Sequence, residues 1–164
     1  MLQLTLLRHA KSSWNYDLPD FERPLNKRGL RNAPLMAERL KERQCRPDLA
    51  LVSPARRSLE TARIVLAAVG LEEDRIKLET RIYGAGCSQL FNLVRETDRH
   101  IQHLLLVGHN PGFTDLWNIL ARDKVLNIPT CGAFSLKFPD LKSWEKLEPV
   151  SGKTVFMDYP KKKD

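Results

Sequence analysis

The sequence predicts an α/β protein: a three-layer sandwich with a mostly parallel central sheet flanked by helices. Two patterns predict it. Short apolar runs (Leu2–Leu7, Leu49–Val52, His103–Val107) alternate with segments of helical spacing. The first and third runs are almost wholly apolar, as expected of strands covered on both faces.

Along the chain, residues 11–25 are polar, contain proline and show no period, which reads as a long loop. Asn26 to Gln44 shows helical spacing through Leu30, Leu35, Met36 and Leu40. Pro34 inside it implies a kink, or a helix that starts late near Ala33. After Leu49–Val52, Ser53 and Pro54 read as N-cap and first residue of a helix that ends near Val69, with Gly70 as its stop. Ile76–Leu78 is a weak strand, and Ser88–Glu96 is helical by Leu90, Phe91 and Val94. Asn110 and Pro111 then open a helix to the neighbourhood of Ala121. Phe134–Phe138 and Val155–Met157 are later strands, with Trp144–Leu147 expected to pair beside them. Crossovers between parallel strands should be right-handed. No repeat or linker interrupts this order. Residues 1–159 are therefore expected to form one domain, with 160–164 a frayed basic tail.

Bulk properties narrow the class. With 164 residues and 42% hydrophobic content, the chain can build one core. No apolar run approaches the roughly 20 residues a membrane span needs. The N-terminus has neither a basic n-region nor a small-residue cleavage site, so it reads as a strand and not as a signal peptide. A cytoplasmic monomer with no membrane partner is expected. Cys45, Cys87 and Cys131 are odd in number, far apart and without C-x-x-C, which fits free thiols better than disulfides or zinc. The net charge of +7 allows solvated basic helix faces, an anionic substrate such as phosphate, or nucleic acid. Aromatics make up only 7% and are not interleaved with the basic residues. Single-strand binders need such stacking platforms, so no nucleic-acid partner is expected.

Chemistry gathers at strand ends. The runs end in Arg8-His9, in Ser53-Pro54-Ala55-Arg56-Arg57, and in Gly108-His109-Asn110-Pro111. Open α/β sheets bind ligands outside the carboxyl ends of their strands. Parallel neighbours would bring the three clusters to one crevice, with helix N-termini pointing into it. Two histidines, at least two arginines and no obvious carboxylate make a pocket for a phosphoryl group. Other constellations are weaker. His100, His103 and Asp98 read as surface polar residues before they read as a metal cluster. Gly84-x-Gly86 lacks its third glycine at Gln89, and no G-x-S-x-G occurs.

The ordered set Arg8-His9, S-P-x-x-R-x-x-x-T-A (Ser53 to Ala62) and V-G-H-N-P-G (Val107 to Gly112) resembles the histidine phosphatase, or phosphoglycerate mutase-like, superfamily. L-R-H-A-K-S-S-W (Leu7–Trp14), R-P-L-N-K-R-G (Arg23–Gly29) and the lack of a large cap resemble its small SixA-type phosphohistidine phosphatase branch. The resemblance implies that His9 is the nucleophile and that Arg8, Arg57 and His109 clamp the phosphate. Lys11, Ser12 and Arg23 would line the rim, or simply be loop residues. Two positions depart from the pattern. Ala10 replaces the usual glycine of R-H-G, a change that matters only if φ must be positive. Thr80 stands where mutase-like relatives place a glutamate proton donor, and Glu79, one residue off, would face the other way.

For such a site the expected reaction is phosphate removal through a phospho-His9 intermediate, with no metal and no cofactor. A neutral His9 would attack, its second ring nitrogen held by a backbone carbonyl, and His109 would be protonated beside the dianion. A phosphorylated protein is the expected partner and substrate. The other readings are a phosphatase for small phosphoesters, a non-catalytic phosphoprotein-binding module, and a nucleic-acid binder.

Overall fold

In the computed structural model, which describes residues 1–15 and 17–163, alternation along the strands divides the core into two layers. Strands β1 (Leu2–Arg8), β2 (Leu49–Val52), β3 (Ile76–Leu78), β4 (His103–Gly108), β5 (Ala133–Phe138) and β6 (Lys153–Asp158) form one six-stranded sheet in the order β3-β2-β4-β1-β5-β6. The first four of that order run parallel, and β5 and β6 add antiparallel at one side. Helices α1 (Lys27–Glu42) and α2 (Arg56–Ala68) cover one face; α3 (Cys87–Arg95) and α4 (Gly112–Leu120) cover the other.

Leu4, Leu6, Leu104 and Leu106 pack with Leu90, Val94, Phe113, Leu116 and Trp117 of α3 and α4. Leu7, Leu105 and Val107 pack on the opposite side with Met36, Leu40, Val65 and Leu66 of α1 and α2. Each such leucine contributes on the order of 1.5–3 kcal/mol by leaving water. All six residues of β4 are buried, which makes it the central strand that its unbroken apolar run predicts.

Three expectations about elements need correction. The helix containing Pro34 does not start late: it begins at Lys27, and the Asn26 side chain accepts the N–H of Gly29. The carbonyl that Pro34 leaves unpaired belongs to Leu30, an exposed residue, so the missing hydrogen bond falls on the outer face. The buried stripe is Gly29, Ala33, Met36, Ala37 and Leu40, whereas Leu30 and Leu35 are exposed. The second correction is Trp144–Lys146, a 3-10 turn in place of a strand; the indole is fully buried and donates to the Ile101 carbonyl at 2.7 Å. Thirdly, α2 starts at Arg56 with Ala55 as its cap, and α4 at Gly112 with Pro111 as its cap. Ser53 and Pro54 therefore precede the helix instead of capping it, which frees the Ser53 hydroxyl for the site. Asn110 still accepts the Thr114 N–H at 3.1 Å.

Gly29 is required by packing. A Cβ there would overlap the Lys11 carbonyl oxygen. That contact, and the Asn26 N–H bonded to the same oxygen at 3.0 Å, pin the segment after His9 to the start of α1. In the tail, the Lys162 N–H returns to the Tyr159 carbonyl at 2.9 Å; Asp164 lies outside the described residues. Among the described residues no helix is long and apolar enough to cross a membrane.

Candidate active site

Strands β2, β4 and β1 are adjacent and parallel, so their carboxyl ends lie side by side. Arg8 is in register with Gly108, and Val52 with Val107. The next residues along each strand are His9, Ser53 and His109. The His9 N–H continues the ladder onto the Gly108 carbonyl, and the Ser53 N–H onto that of Val107, both at 3.0 Å. The two imidazole rings end with centroids 5.3 Å apart.

His9 is 7% exposed, and its Nδ1 lies 2.7 Å from the carbonyl oxygen of Ala10. A carbonyl only accepts, so Nδ1 carries the proton and Nε2 keeps its lone pair. Burial pushes the ring's pKa down to about 3, and the charges of His109, Arg57 and Arg8 act the same way, against the pull of the Ala10 hydrogen bond. His9 is neutral near pH 7. Ala10 is fully buried, has no positive φ and donates its N–H to Thr61 Oγ1 at 3.0 Å, so alanine meets no strain here.

Arg8 donates Nη1 to the Ile128 carbonyl at 2.9 Å. Arg57, buried at the first turn of α2, donates Nη1 to the Asp20 carbonyl at 2.7 Å and Nη2 to Asp20 Oδ2 at 3.0 Å. His109 Nε2 lies 2.7 Å from Ser53 Oγ. Among the described residues four buried side-chain polar atoms lack a partner, and Arg8 Nε, Arg57 Nε and His109 Nδ1 are three of them. Buried polar atoms are almost always satisfied, and the oxygens of an oxyanion are the kind of partner that such nitrogens on three residues around His9 can take.

Residues 4–82 match the histidine phosphatase superfamily, branch 1. The chain is 32% identical over 163 residues to an uncharacterized protein of Mycobacterium tuberculosis, an alignment covering 94% of this chain and 100% of that one. The chain belongs to the histidine phosphatase superfamily. A candidate phosphohistidine phosphatase SixA of Agrobacterium tumefaciens is 26% identical with a TM-score of 0.79, covering 97% of this chain and 99% of that one. A protein histidine phosphatase SixA complexed with tungstate has the same fold, with a TM-score of 0.77 at 21% identity over 97% of each chain. Within the superfamily this phosphatase is of the SixA type.

In this histidine phosphatase burial and then Arg57 push the His109 pKa down to about 4, with Asp20 opposing and Arg8 assisting. The sequence reading needs one correction: a carboxylate lies in the site. Asp20, on a 3-10 turn (Asp20–Glu22) inside the 11–25 loop, receives Arg57, Arg23 Nε at 3.1 Å and the Tyr83 hydroxyl at 2.7 Å. Burial works against its ionised form, but the bonds from Tyr83 and Arg57 outweigh it and hold the pKa at about 2. Asp20 carries no local sequence signal, whereas Tyr83 lies three residues after Thr80 in the segment that resembles the acid-bearing one of mutase-like relatives. Tyr83 reaches the site through ring packing, with centroids 5.6 Å from His109 and 5.1 Å from Phe21.

Of the rim residues, Arg23 is buried and reaches Arg57 through Asp20. It also donates Nη1 to Ser12 Oγ at 2.8 Å and stacks its guanidinium 3.5 Å over the Trp14 ring. Ser12 is buried and serves Arg23, while Lys11 contributes its backbone to α1. Thr80 is exposed at the start of a 3-10 turn (Thr80–Ile82), and Glu79 is committed to Arg81 at 2.9 Å. His100 is exposed on Asp98, whereas His103, expected at the surface, is buried and bonded to Thr5 Oγ1 at 2.8 Å. Among the described residues no group of three or more His, Cys, Asp or Glu could hold a metal ion.

Proposed function

We propose that this phosphatase hydrolyses phosphohistidine on a partner protein through a covalent phospho-His9 intermediate, with no metal taking part. The observation that carries the reading is the Ala10 carbonyl on His9 Nδ1, which leaves Nε2 as the free nitrogen beside three unpartnered nitrogens of Arg8, Arg57 and His109.

In the first step Nε2 attacks phosphorus while the bond to the substrate nitrogen breaks. The other ring nitrogen of the phosphoimidazole takes a proton from solvent, so the departing nitrogen keeps the electron pair and leaves as neutral imidazole. In the second step water attacks phospho-His9, the P–Nε2 bond breaks with its pair returning to Nε2, and the water's proton is released with inorganic phosphate. Arg8, Arg57 and His109 hold the phosphoryl oxygens, which together carry a charge of about −1.5 to −2. Phosphoryl transfer needs mainly position and charge stabilisation, which these residues supply.

The reading for small phosphoesters needs an acid for an alkoxide leaving group. Asp20 is the carboxylate bonded to Arg57 among the described residues, and three donors keep it ionised. That supports the nitrogen leaving group. The test is phosphate release from a panel of phosphohistidine proteins and phosphoesters, with and without chelator, followed by trapping of labelled enzyme. The expected label is acid-labile, stable in alkali and absent from His9→Ala. Acid-stable label, or activity lost on chelation and restored by a divalent ion, would overturn it.

A further inference from the structure

We infer that Ser53 is a positioning residue that fixes the tautomer of His109, keeping its proton on Nδ1 so that the phosphoryl group meets a neutral N–H donor. The inference rests on the proposed role of His109 in holding phosphate and specifies how it does so.

The geometry starts from the Ser53 hydroxyl. It is fully buried and receives the Ala55 N–H at 3.4 Å, which uses one of its acceptor sites. His109 Nε2 lies 2.7 Å away, and among the described residues it is the remaining partner for that hydroxyl. A hydroxyl has one proton to give. If Ser53 gives it to Nε2, that nitrogen is an acceptor, and in a neutral imidazole Nδ1 must then carry the N–H. The opposite arrangement, Nε2–H donating to Ser53, leaves the buried serine proton without an acceptor. It also leaves a bare lone pair on buried, unpartnered Nδ1, where a phosphoryl oxygen would be repelled. Ser58 Oγ, 3.5 Å from Nε2, lies on the same side and also has a proton to offer.

The surroundings make a neutral donor preferable to an imidazolium. Arg57 of α2 and Arg8 of β1 face the ring as cations, His9 lies beside it, and Tyr83 packs on it edge-on. Among the described residues Asp20 is the one opposing charge, and it is already bound to Arg57 and Arg23. A third cation in this buried cluster is costly, whereas a tautomer fixed by a hydroxyl supplies the same hydrogen bond without it. Ser53 can take this part because α2 begins at Arg56, so its side chain is not spent on a helix cap. On His9 a carbonyl fixes the proton on Nδ1; on His109 a hydroxyl does so. The two rings thereby present opposite faces of the same chemistry: one offers a lone pair, the other an N–H.

The test is nitrogen-resolved NMR of the imidazoles in the full chain near pH 7, with His109 assigned by His109→Gln. The expected spectrum shows His109 with a protonated Nδ1 and a pyridine-like Nε2. In Ser53→Ala the proton should redistribute towards Nε2, and kcat/KM should fall by about 10- to 100-fold, the usual scale for losing a group that orients a functional histidine. Its pH profile should tilt to the acid side, because a bare Nδ1 becomes a donor only on protonation. Ser53→Thr, which keeps the hydroxyl, should recover most of the activity. A wild-type spectrum with the proton on Nε2 overturns the inference even if phosphohistidine is hydrolysed. The expected spectrum in a protein that leaves phosphohistidine intact overturns the proposed substrate and keeps the tautomer.

Discussion

Arg57 and Asp20 meet through two hydrogen bonds, Nη1 to the Asp20 carbonyl at 2.7 Å and Nη2 to Oδ2 at 3.0 Å. The outer edge of the guanidinium is thus held by the 11–25 loop, while buried Nε has no partner among the described residues. The same carboxylate takes Tyr83 and Arg23, so one residue ties the loop, the Tyr83 segment and α2 together over the site.

Asp20→Ala should therefore lower kcat/KM by about tenfold, mostly in kcat, since an unheld arginine still binds the dianion but no longer in the reactive geometry. Asp20→Asn, which keeps an oxygen acceptor, should lose less. Steady-state kinetics with inhibition by an oxyanion such as tungstate will decide. Tighter oxyanion binding with unchanged or faster turnover in Asp20→Ala would mean that the carboxylate competes with phosphate.

Arg57 and its neighbour Arg56 provide an internal control. Arg56 is mostly exposed and pairs with Glu60 at 2.9 Å one turn along α2. Such surface pairs contribute little. Arg57→Ala should cost on the order of 10²–10³ in kcat, as for loss of one preorganised donor. Arg56→Ala should stay within about twofold of wild type. Similar losses from both would place the clamp elsewhere.

The strand ends are legible in the sequence because each is a short apolar run closed by a reactive pair. His9 and His109 stand out by their sequence neighbours, and register then brings them together. What the Asp20 carboxylate does is not legible. It lies in a segment with no period, and its partners Arg57 and Tyr83 are 37 and 63 residues away. Helix starts mislead for a related reason. Ser53 and Pro54 are good capping residues by local rules, but the neighbouring His109 ring takes the serine hydroxyl, and the helix opens after Ala55. Trp144 follows the same logic: its indole is held by Ile101, a partner 43 residues earlier, and no local pattern reports that.

Buried histidines should make the protein acid-sensitive. His9, His103 and His109 are depressed to about 3, 4 and 4, in each case first by burial. An unfolded histidine titrates near 6.5. Below that pH the unfolded chain binds protons that the folded one refuses, so stability is full above about 6.5 and falls as pH drops towards the folded values. His103 alone accounts for up to about 3 kcal/mol by pH 4, because each tenfold loss of proton affinity on folding is worth about 1.4 kcal/mol. Urea midpoints should fall steadily from pH 7 to 4.5, and His103→Gln should flatten that slope whatever it does at pH 7. A flat wild-type profile would show that these rings accept protons while folded.

Selectivity for the leaving group follows from Thr80, Glu79 and Asp20 together. An alkoxide leaves phosphorus badly without an acid, and acid catalysis is worth about 10²–10⁴ in rate. Thr80 has no acidic proton, Glu79 is bound to Arg81, and Asp20 is held ionised with a pKa of about 2. An imidazole leaving a phosphoramidate needs far less help, because its nitrogen is protonated readily near neutral pH. The enzyme should act well on phosphohistidine, moderately on activated aryl phosphates and poorly on phosphoserine or sugar phosphates. Thr80→Glu places a carboxyl on an exposed 3-10 turn that leads into Tyr83. That carboxyl has Arg81 as a neighbour, but Arg81 is already taken by Glu79 and Glu96. The substitution should raise kcat/KM for alkyl phosphates more than for phosphohistidine. Measuring both substrates in wild type and variant separates the cases. Wild-type hydrolysis of alkyl phosphates as fast as phosphohistidine would mean that another group donates the proton, with Asp20, displaced from Arg57 by substrate, the first to substitute.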